Sequence, residues 1–576
     1  MGSPSLPPCP TIVEWEEAGA SLVTAFGKYM NLCLNLGTDS LREGATSKDL
    51  VSRIDSALAI THAALSSYLN ESSSALARTR NKLASPIFRF PEELMSEIFM
   101  NVVFNRHGQK SSGSLSLESS SRMIYRRLYS LFGVCSAWRD LILVRGALWS
   151  VIPILPSRSD RKHKVIKRIL RRVGGSPLHL AVFMEWASPT RLVKVLNEYG
   201  PRFRTVNLSA SSRYVIRDAM HRLLEHDTPG SLCELSIQFN KAELVNHRTP
   251  EESDYLFPRD HIDHVSFASL VGTLTAFRIS GLHFHWDTMA RATRLVELRI
   301  EQITLGYDDA LVSLVQALSS APNLRDLKMI SVSTFRDPAA THDRKLIVPV
   351  AFPNLKSLFL QDLYFNSLEY LLPIISPGSY RLILFLARKS LEINVVRDNV
   401  PGNEEEDIEL ERVEVSDLGS ALVDTPVDTL MITGVWNDCW LTGPEIRLLL
   451  VAMPTLKALQ ISHWDLDHSV WRALRRSTAA RSCPEDYRFP ALESLYLCSA
   501  RLINQRGLRN MVASHPLQEV VLGGIFGDTL RQLSESDSCD GDNGVTGWLK
   551  TNVPVFRLVR SFYEPPEFYS DVWQLW

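Results

Sequence analysis

The stretch "PNLKSLFL", Pro353–Leu360, decides how this 576-residue chain is read. A proline is followed two positions later by Leu355, and Leu358 and Leu360 then alternate as the inward residues of a strand do. The phrase returns as "PNLRDLKMI" (Pro322, Leu324, Leu327, Met329), as "PTLKALQI" (Pro454, Leu456, Leu459, Ile461) and as "PALESLYL" (Pro490, Leu492, Leu495, Leu497). Looser copies are "GSLCELSI" at Leu232, "TRLVELRI" at Leu295 and "HPLQEVVL" at Leu517. Well-formed copies step by roughly 30 residues, the period of a supersecondary unit that stacks on its neighbours. Helical stretches such as "DDALVSLVQALSSAPN" and "GPEIRLLLVAMP" lie between them. This alternation predicts an α/β fold with parallel strands near positions 298, 327, 358, 459 and 495.

Residues 156–576 therefore resemble a degenerate leucine-rich-repeat solenoid of parallel strands and helices; a nonrepetitive α/β domain is the other reading of the same pattern. The resemblance fails at one position. Three residues past the last core leucine the family carries Asn or Cys, and this chain has Val332, Leu363, Trp464 and Ala500. The asparagine ladder is missing, so irregular curvature is expected. In the family geometry the residues between the core leucines, among them Glu297 and Asp326, face the concave side. That makes Arg299, Lys328, Phe359, Gln460 and Tyr496 the candidates for binding a protein substrate. Phe359 and Tyr496, if exposed among polar neighbours, would anchor a partner. Packing against neighbouring strands is the alternative.

Residues 1–85 read as a helical segment. Val23, Phe26, Met30 and Cys33 follow helical spacing, "GTDSLREGATS" breaks the helix, and a second one carries Val51, Ile54, Leu58, Leu65, Leu69 and Leu76 from Lys48 to Ala84. A modest hairpin and a dimerisation segment both fit. Next comes "RFPEELMSEIF", positions 89–99. Pro91 suits a first helical turn, Glu92 and Glu93 face the positive end of the helix dipole, and Leu94/Ile98 and Met95/Phe99 are pairs four apart. The Ser- and Gly-rich stretch from Asn105 to Ser121 is expected to be a dispensable loop. One helix is then expected to carry Leu128, Leu131, Phe132 and Cys135 on one stripe and Val134, Trp138 and Leu141 on another, before Leu148-Trp149 closes the unit.

Taken in order, Pro91, Glu93-Leu94, Ile98-Phe99, Val134-Cys135, Trp138-Arg139 and Leu148-Trp149 resemble an F-box, the three-helix module of ubiquitin-ligase substrate receptors. The match is most similar to the F-box proteins of mushroom-forming fungi, with Phe90 where Leu is usual and a longer first loop. It places the module in 86–155. An unrelated three-helix unit is the competing reading. The resemblance implies adaptor contacts from Pro91, Leu94, Ile98 and Val134, and a module core of Phe99, Cys135, Trp138, Leu148 and Trp149. It also implies the Skp adaptor and, through it, a cullin as partners. The chain would then be the substrate-recognition subunit of an SCF-type ligase, with no catalytic residue and no cofactor. An interaction scaffold that binds the adaptor without ligase function is the alternative.

Bulk properties exclude other classes. Net charge is -2 and pI about 6.7, so nothing announces nucleic acid. The 8 cysteines stand singly with no C-x-x-C pair, which argues against zinc ribbons and redox motifs. No apolar run reaches the ~18 residues of a membrane span, and the first residues lack a secretory pattern. A cytoplasmic or nuclear address is expected. "RKHKVIKRILRR", 161–172, holds 7 Lys or Arg, but Val165, Ile166, Ile169 and Leu170 run through it as the apolar stripe of an amphipathic helix. His283 and His285 make at most two ligands, too few for a closed metal site.

Overall fold

The computed structural model describes residues 9–84, 86–104, 117–155, 161–184, 190–226, 231–240, 249–336, 349–375, 378, 380–396, 408–434, 439–476, 488–526, 531–532 and 545–559. Two compact units are present, residues 1–95 and 96–576.

In the first unit α1 (Pro10–Arg42) starts on a proline, where the missing N–H costs nothing. It continues through Gly37 to Arg42, and Gly44, with a φ of 92°, turns the chain; the expected break comes several residues late. α2 (Ser47–Ser56) is capped by the Thr46 hydroxyl, which accepts from Asp49 N at 3.4 Å. A π turn, Ala57–His62, joins it to α3 (Ala63–Ala84). The chain doubles back as an antiparallel hairpin, with the Tyr29 hydroxyl 3.4 Å from His62 Nε2. Not one residue of α1, α2, the π turn or α3 is buried. α4 (Glu92–Phe104) follows, with Glu92 and Glu93 in its first turn.

The second unit corrects two expectations about its helices. α5 (Leu117–Phe132) begins inside the stretch read as loop, and buries Leu117, Ser121, Ile124 and Leu128. Shortening the chain up to Ser121 would therefore remove core; residues 105–116 lie outside the described residues. The single helix through Val134 and Cys135 is in fact two. α5 stops at Phe132, Gly133 and Val134 form a turn, and Cys135 sits extended (φ -159°, ψ 170°) as the cap of α6 (Ser136–Val144). Glycine inside a helix costs about 1 kcal/mol relative to alanine, and here it marks the stop. As a result Cys135 and Trp138, expected in the core, are only half-buried, although Trp138 rests on the buried Phe99 ring at 4.8 Å. The tight turn Gly146–Trp149 supplies the core instead. Leu148 and Trp149 are fully enclosed, and Trp149 Nε1 donates to Ile142 O at 2.8 Å. α7 (Arg161–Val173) buries Ile166, Ile169 and Leu170 and exposes Lys167, Arg168 and Arg171, while Arg172 is half-buried over the Trp149 ring.

The strands are β1 (Val151–Ile154), β2 (Leu178–Met184), β3 (Phe203–Ala210), β4 (Glu234–Phe239), β5 (Ala276–Ser280), β6 (Glu297–Tyr307), β7 (Asp326–Phe335), β8 (Ser357–Gln361) and β9 (Arg381–Leu386). They continue as β10 (Glu392–Val396), β11 (Ile408–Arg412), β12 (Val427–Thr433), β13 (Ala458–Ser462), β14 (Asp465–Leu466), β15 (Ser494–Leu502), β16 (Glu519–Phe526), β17 (Arg531–Gln532) and β18 (Val555–Leu558). Sixteen of them form one sheet in sequence order, from β1 through β9 to β12, β13, β15 and β16, with only β10 and β11 set aside as an antiparallel pair. The strands at all five predicted positions pair in parallel. Crossovers between neighbouring parallel strands are right-handed, so in a sheet laid down in sequence order the helices collect on one face. The core leucines point to that face: Leu298, Leu327, Leu358, Leu459 and Leu495 are all buried. β1 follows Trp149 directly, and the Tyr125 hydroxyl of α5 donates to Val151 O at 2.5 Å, tying the helices to the start of the sheet.

The missing asparagine has a structural substitute. All five non-glycine residues with positive φ among the described residues, Gln302, Ser331, Asp362, His463 and Ser499, occupy one place in the repeats of β6, β7, β8, β13 and β15: two residues past the last core aliphatic. Gly281 fills the same place on β5, with φ 71°. The next residue, Ile303, Val332, Leu363, Trp464 or Ala500, then turns inward and is buried. A left-handed kink followed by an apolar plug replaces the polar ladder. Asparagines do bridge turns elsewhere: Asn323 and Asn354 Nδ2 donate to Thr293 O and Pro322 O of the preceding repeat, each at 2.7 Å, and Asn366 Nδ2 donates to Asp308 Oδ1 at 2.8 Å and to Thr334 O at 3.0 Å, while its Oδ1 accepts from Asn394 N. A left-handed conformation costs an L residue about 1–2 kcal/mol, partly offset in glycine by about 0.5–1 kcal/mol of unfolded-state entropy. Gln302→Gly is therefore expected to raise stability by roughly 0.5 kcal/mol. Gln302→Val should lower it by about 1 kcal/mol or more, since a β-branched residue tolerates positive φ poorly. Urea midpoints of the two variants check both signs.

Candidate functional site

Side chains that alternate with the core leucines line the far face of the sheet, opposite the helices. Strand register sets them in rows. One runs Asn207, Ser236, Arg278, Arg299, Lys328, Phe359 from β3 to β8. A second, from β8 to β16, runs Gln361, Phe385, Met431, Gln460, Tyr496, Val521, one pleat further along the strands. The five sequence-derived candidates thus fall into two groups of register neighbours: Arg299, Lys328 and Phe359, then Gln460 and Tyr496.

Their exposure differs from expectation. Arg299, Phe359, Gln460 and Tyr496 are buried and Lys328 is half-buried. Adjacent strands lie only about 4.8 Å apart, so long side chains in one row shield each other. Phe359 and Tyr496 join Ile330, Ile383, Met431 and Val521 in an apolar cluster with Phe385 and Val559 against it. They are packing residues, not free anchors. The Tyr496 hydroxyl donates to Glu519 Oε2 at 2.8 Å, and Arg557 Nη2 donates to Glu519 Oε1 at 2.6 Å.

The first half of the face is ionic. Arg278 Nε and Nη2 donate to the two Glu297 oxygens at 2.8 and 2.7 Å, while Nη1 reaches Glu234 at 3.3 Å and the Ser236 hydroxyl at 3.4 Å. Burial works against the Arg278 charge, but the Glu297 bonds and both carboxylates outweigh it and hold its pKa above the usual value. Burial likewise opposes the Glu297 charge; the Arg278 bonds and charge, with Lys328 and Arg299 adding, still pull its carboxyl below the usual range. Burial lowers Arg299, offset in part by Glu301, to which Nη2 donates at 3.2 Å. Burial and the nearby Arg299 also lower Lys328, and burial with Glu297 raises Asp326. What stays accessible is the strip at the strand starts. There Glu234, Glu297 and Asp326 are half-buried, and Arg381 is exposed. Arg278 and Glu234 escaped the sequence reading because β4 and β5 carry degenerate copies of the repeat. The register of "TAFRISG" on "CELSIQ" was the signal that could have found them.

A second candidate surface lies on the helices. Pro91, Leu94, Ile98 and Val134 are all exposed, Leu94 at 52% and Val134 at 58%. On α4 the apolar Leu94, Ile98 and Val102 recur every four residues on one stripe, at 52%, 38% and 44% exposure. Phe99, on the other side of that helix, is buried. Among the described residues no group of His, Cys, Asp or Glu is arranged to hold a metal, and no helix is long and apolar enough to cross a membrane. His283 and His285 are buried, and His285 stacks on Tyr255 at 4.2 Å.

No family model matches this chain, and no curated protein matches it in sequence. Among solved structures it is similar to "Crystal structure of Rad7 and Elc1 complex in yeast", at 12% identity and TM-score 0.28 over 73% of this chain and 96% of that one. It is also similar to "Crystal structure of TLR13-ssRNA13 complex", at 12% identity and TM-score 0.29 over 64% of this chain and 47% of that one. Scores this low carry nothing from either protein to this one.

Proposed function

We propose that this chain is a noncatalytic substrate receptor. In this reading the exposed stripe of α4 docks the small Skp adaptor of an SCF-type cullin-RING ubiquitin ligase, and the far face of the solenoid holds a protein substrate. The observation that carries the proposal is the division of exposure: Pro91, Leu94, Ile98 and Val134 stay open to solvent, while Phe99, Leu148 and Trp149 are locked inside. A module built only to support the solenoid has no reason to leave that stripe uncovered. Catalysis then works by proximity, since binding two partners at once raises their effective concentration for chemistry done elsewhere. On the solenoid, the accessible strip of Glu234, Glu297, Asp326 and Arg381 is the surface that a substrate segment would meet.

The test is adaptor affinity of the purified full chain. Truncating a central contact residue costs about 2 kcal/mol in binding, roughly thirtyfold. Leu94→Ala is expected to weaken adaptor binding by that factor and to leave the thermal melt in place, because the side chain is already exposed. If Leu94→Ala binds as the parent does, the adaptor reading fails. Recovery of the adaptor without any cullin from cells would favour the interaction scaffold over the ligase subunit.

A further inference from the structure

We infer that the N-terminal helical hairpin is a self-association module, closing with a second copy of itself into an antiparallel four-helix bundle. The inference stands apart from the adaptor reading and rests on residues 10–84 alone.

The hairpin has no core. Helices of 33 and 22 residues are formed, yet none of their side chains is buried. Isolated helices are marginal in water, and most helical stability in proteins comes from packing an apolar face. These helices have such a face, and it is uncovered. On α1, Ile12, Trp15, Leu22, Phe26 and Leu36 all fall on the alternating three-four steps of a heptad repeat. They are 53%, 57%, 51%, 41% and 38% exposed. Of the six charged residues of α1, Glu14, Glu17, Lys28 and Arg42 lie away from that stripe, while Glu16 and Asp39 flank it. The returning strand of the hairpin repeats the pattern: Val51, Ile54 and Leu58 are spaced three and four, and Leu69, Leu76 and Leu83 seven apart. Tyr29, on the α1 stripe, meets His62 across the hairpin, so the stripe borders the seam between the helices.

Charge fits a second copy as the occupant, in addition to the match of the same acidic and basic ends side by side within one hairpin. The start of α1 carries Glu14, Glu16 and Glu17 with no basic residue nearby, and the end of α3 carries Arg78, Arg80 and Lys82 with no acidic one. A two-fold axis parallel to the helices would place each acidic end beside the basic end of the other copy. It would also make all four neighbouring helix pairs antiparallel, which suits their dipoles. A fully buried aliphatic or aromatic side chain removes roughly 60–120 Å² at 25 cal/mol per Å², so the named stripe residues, about half-exposed, supply on the order of 500 Å² per copy. Two copies then bury about 1,000 Å², near the lower limit for a specific interface.

The experiment is sedimentation velocity on the full chain and its variants. The parent is expected to run at twice its 65.0 kDa mass, and Leu22→Asp with Phe26→Asp at the single mass. Charge separates this interface from any other. Replacing Glu14, Glu16 and Glu17 by Lys, or Arg78, Arg80 and Lys82 by Glu, should weaken self-association at least tenfold. An equimolar mixture of the two charge variants should restore the dimer. A monomeric parent overturns the inference, whether the stripe is then covered by the rest of the chain or by neutral phospholipid vesicles that pull the parent down. A dimer indifferent to all these substitutions overturns it equally.

Discussion

Trp149→Ala is expected to lower the unfolding free energy of the second unit by about 3–5 kcal/mol, the cost of emptying a fully packed tryptophan site. Trp149 is completely buried, its indole N–H is satisfied by Ile142 O at 2.8 Å, and the Arg172 guanidinium lies 4.4 Å over the ring. The Tyr129 ring meets it edge-on at 6.3 Å. Removing it opens a cavity between α5, α6 and α7 and strands a backbone carbonyl. Trp138→Ala should cost clearly less, about 1–3 kcal/mol, because that ring is half-buried and leans on Phe99. Urea titrations of both variants measure the order. Equal losses, or a larger loss for Trp138→Ala, would mean that the packing of the helical segment is misdescribed.

That contrast shows what could be read from sequence. Trp138 looked central because one continuous helix was assumed through Gly133, which gave it apolar neighbours on two stripes. The stop at Gly133 and the extended Cys135 reset the helical phase by local backbone geometry, to which periodicity is blind. The solenoid was more legible. L-x-x-L-x-L specifies both the strand and the face it buries, so five strand positions and their parallel pairing followed from spacing. Strands β1 to β5 were legible only in part, because none of their copies keeps the proline and the first leucine together: β4 and β5 have Leu232 and Leu274 without the proline, and β3 has Pro201 with Phe203 in place of the leucine. The positive-φ kink could not be read at all. Gln302, Ser331, Asp362, His463 and Ser499 are all polar but share no single residue type, only a backbone conformation at one place in the repeat. Candidate contact residues were placed on the correct face, but their accessibility was overestimated. Alternation fixes the direction of a side chain and says nothing of how closely the neighbouring rows crowd it.

Crowding makes the ionic row the second place of large effect. Glu297→Gln is expected to cost about 3 kcal/mol, because breaking a buried ion pair leaves the other charge uncompensated. Arg278 would keep only Glu234 at 3.3 Å and the Ser236 hydroxyl at 3.4 Å in place of the bidentate pair. The pH dependence follows from the lowered Glu297 carboxyl. A group whose folded pKa is below its unfolded value stabilises fully above the unfolded range, near 4.3 for glutamate, and loses that contribution as pH falls through the folded pKa. Parent and Glu297→Gln should therefore differ most at neutral pH and converge in acid. Replacing both partners, Arg278→Met with Glu297→Met, should recover most of the loss, since well-packed apolar residues often substitute for a buried pair at little cost. Denaturant unfolding of the three variants at pH 7 and in acid reads all of this. A gap between parent and Glu297→Gln that persists unchanged in acid would show that the carboxylate charge is not what holds Arg278 in the sheet.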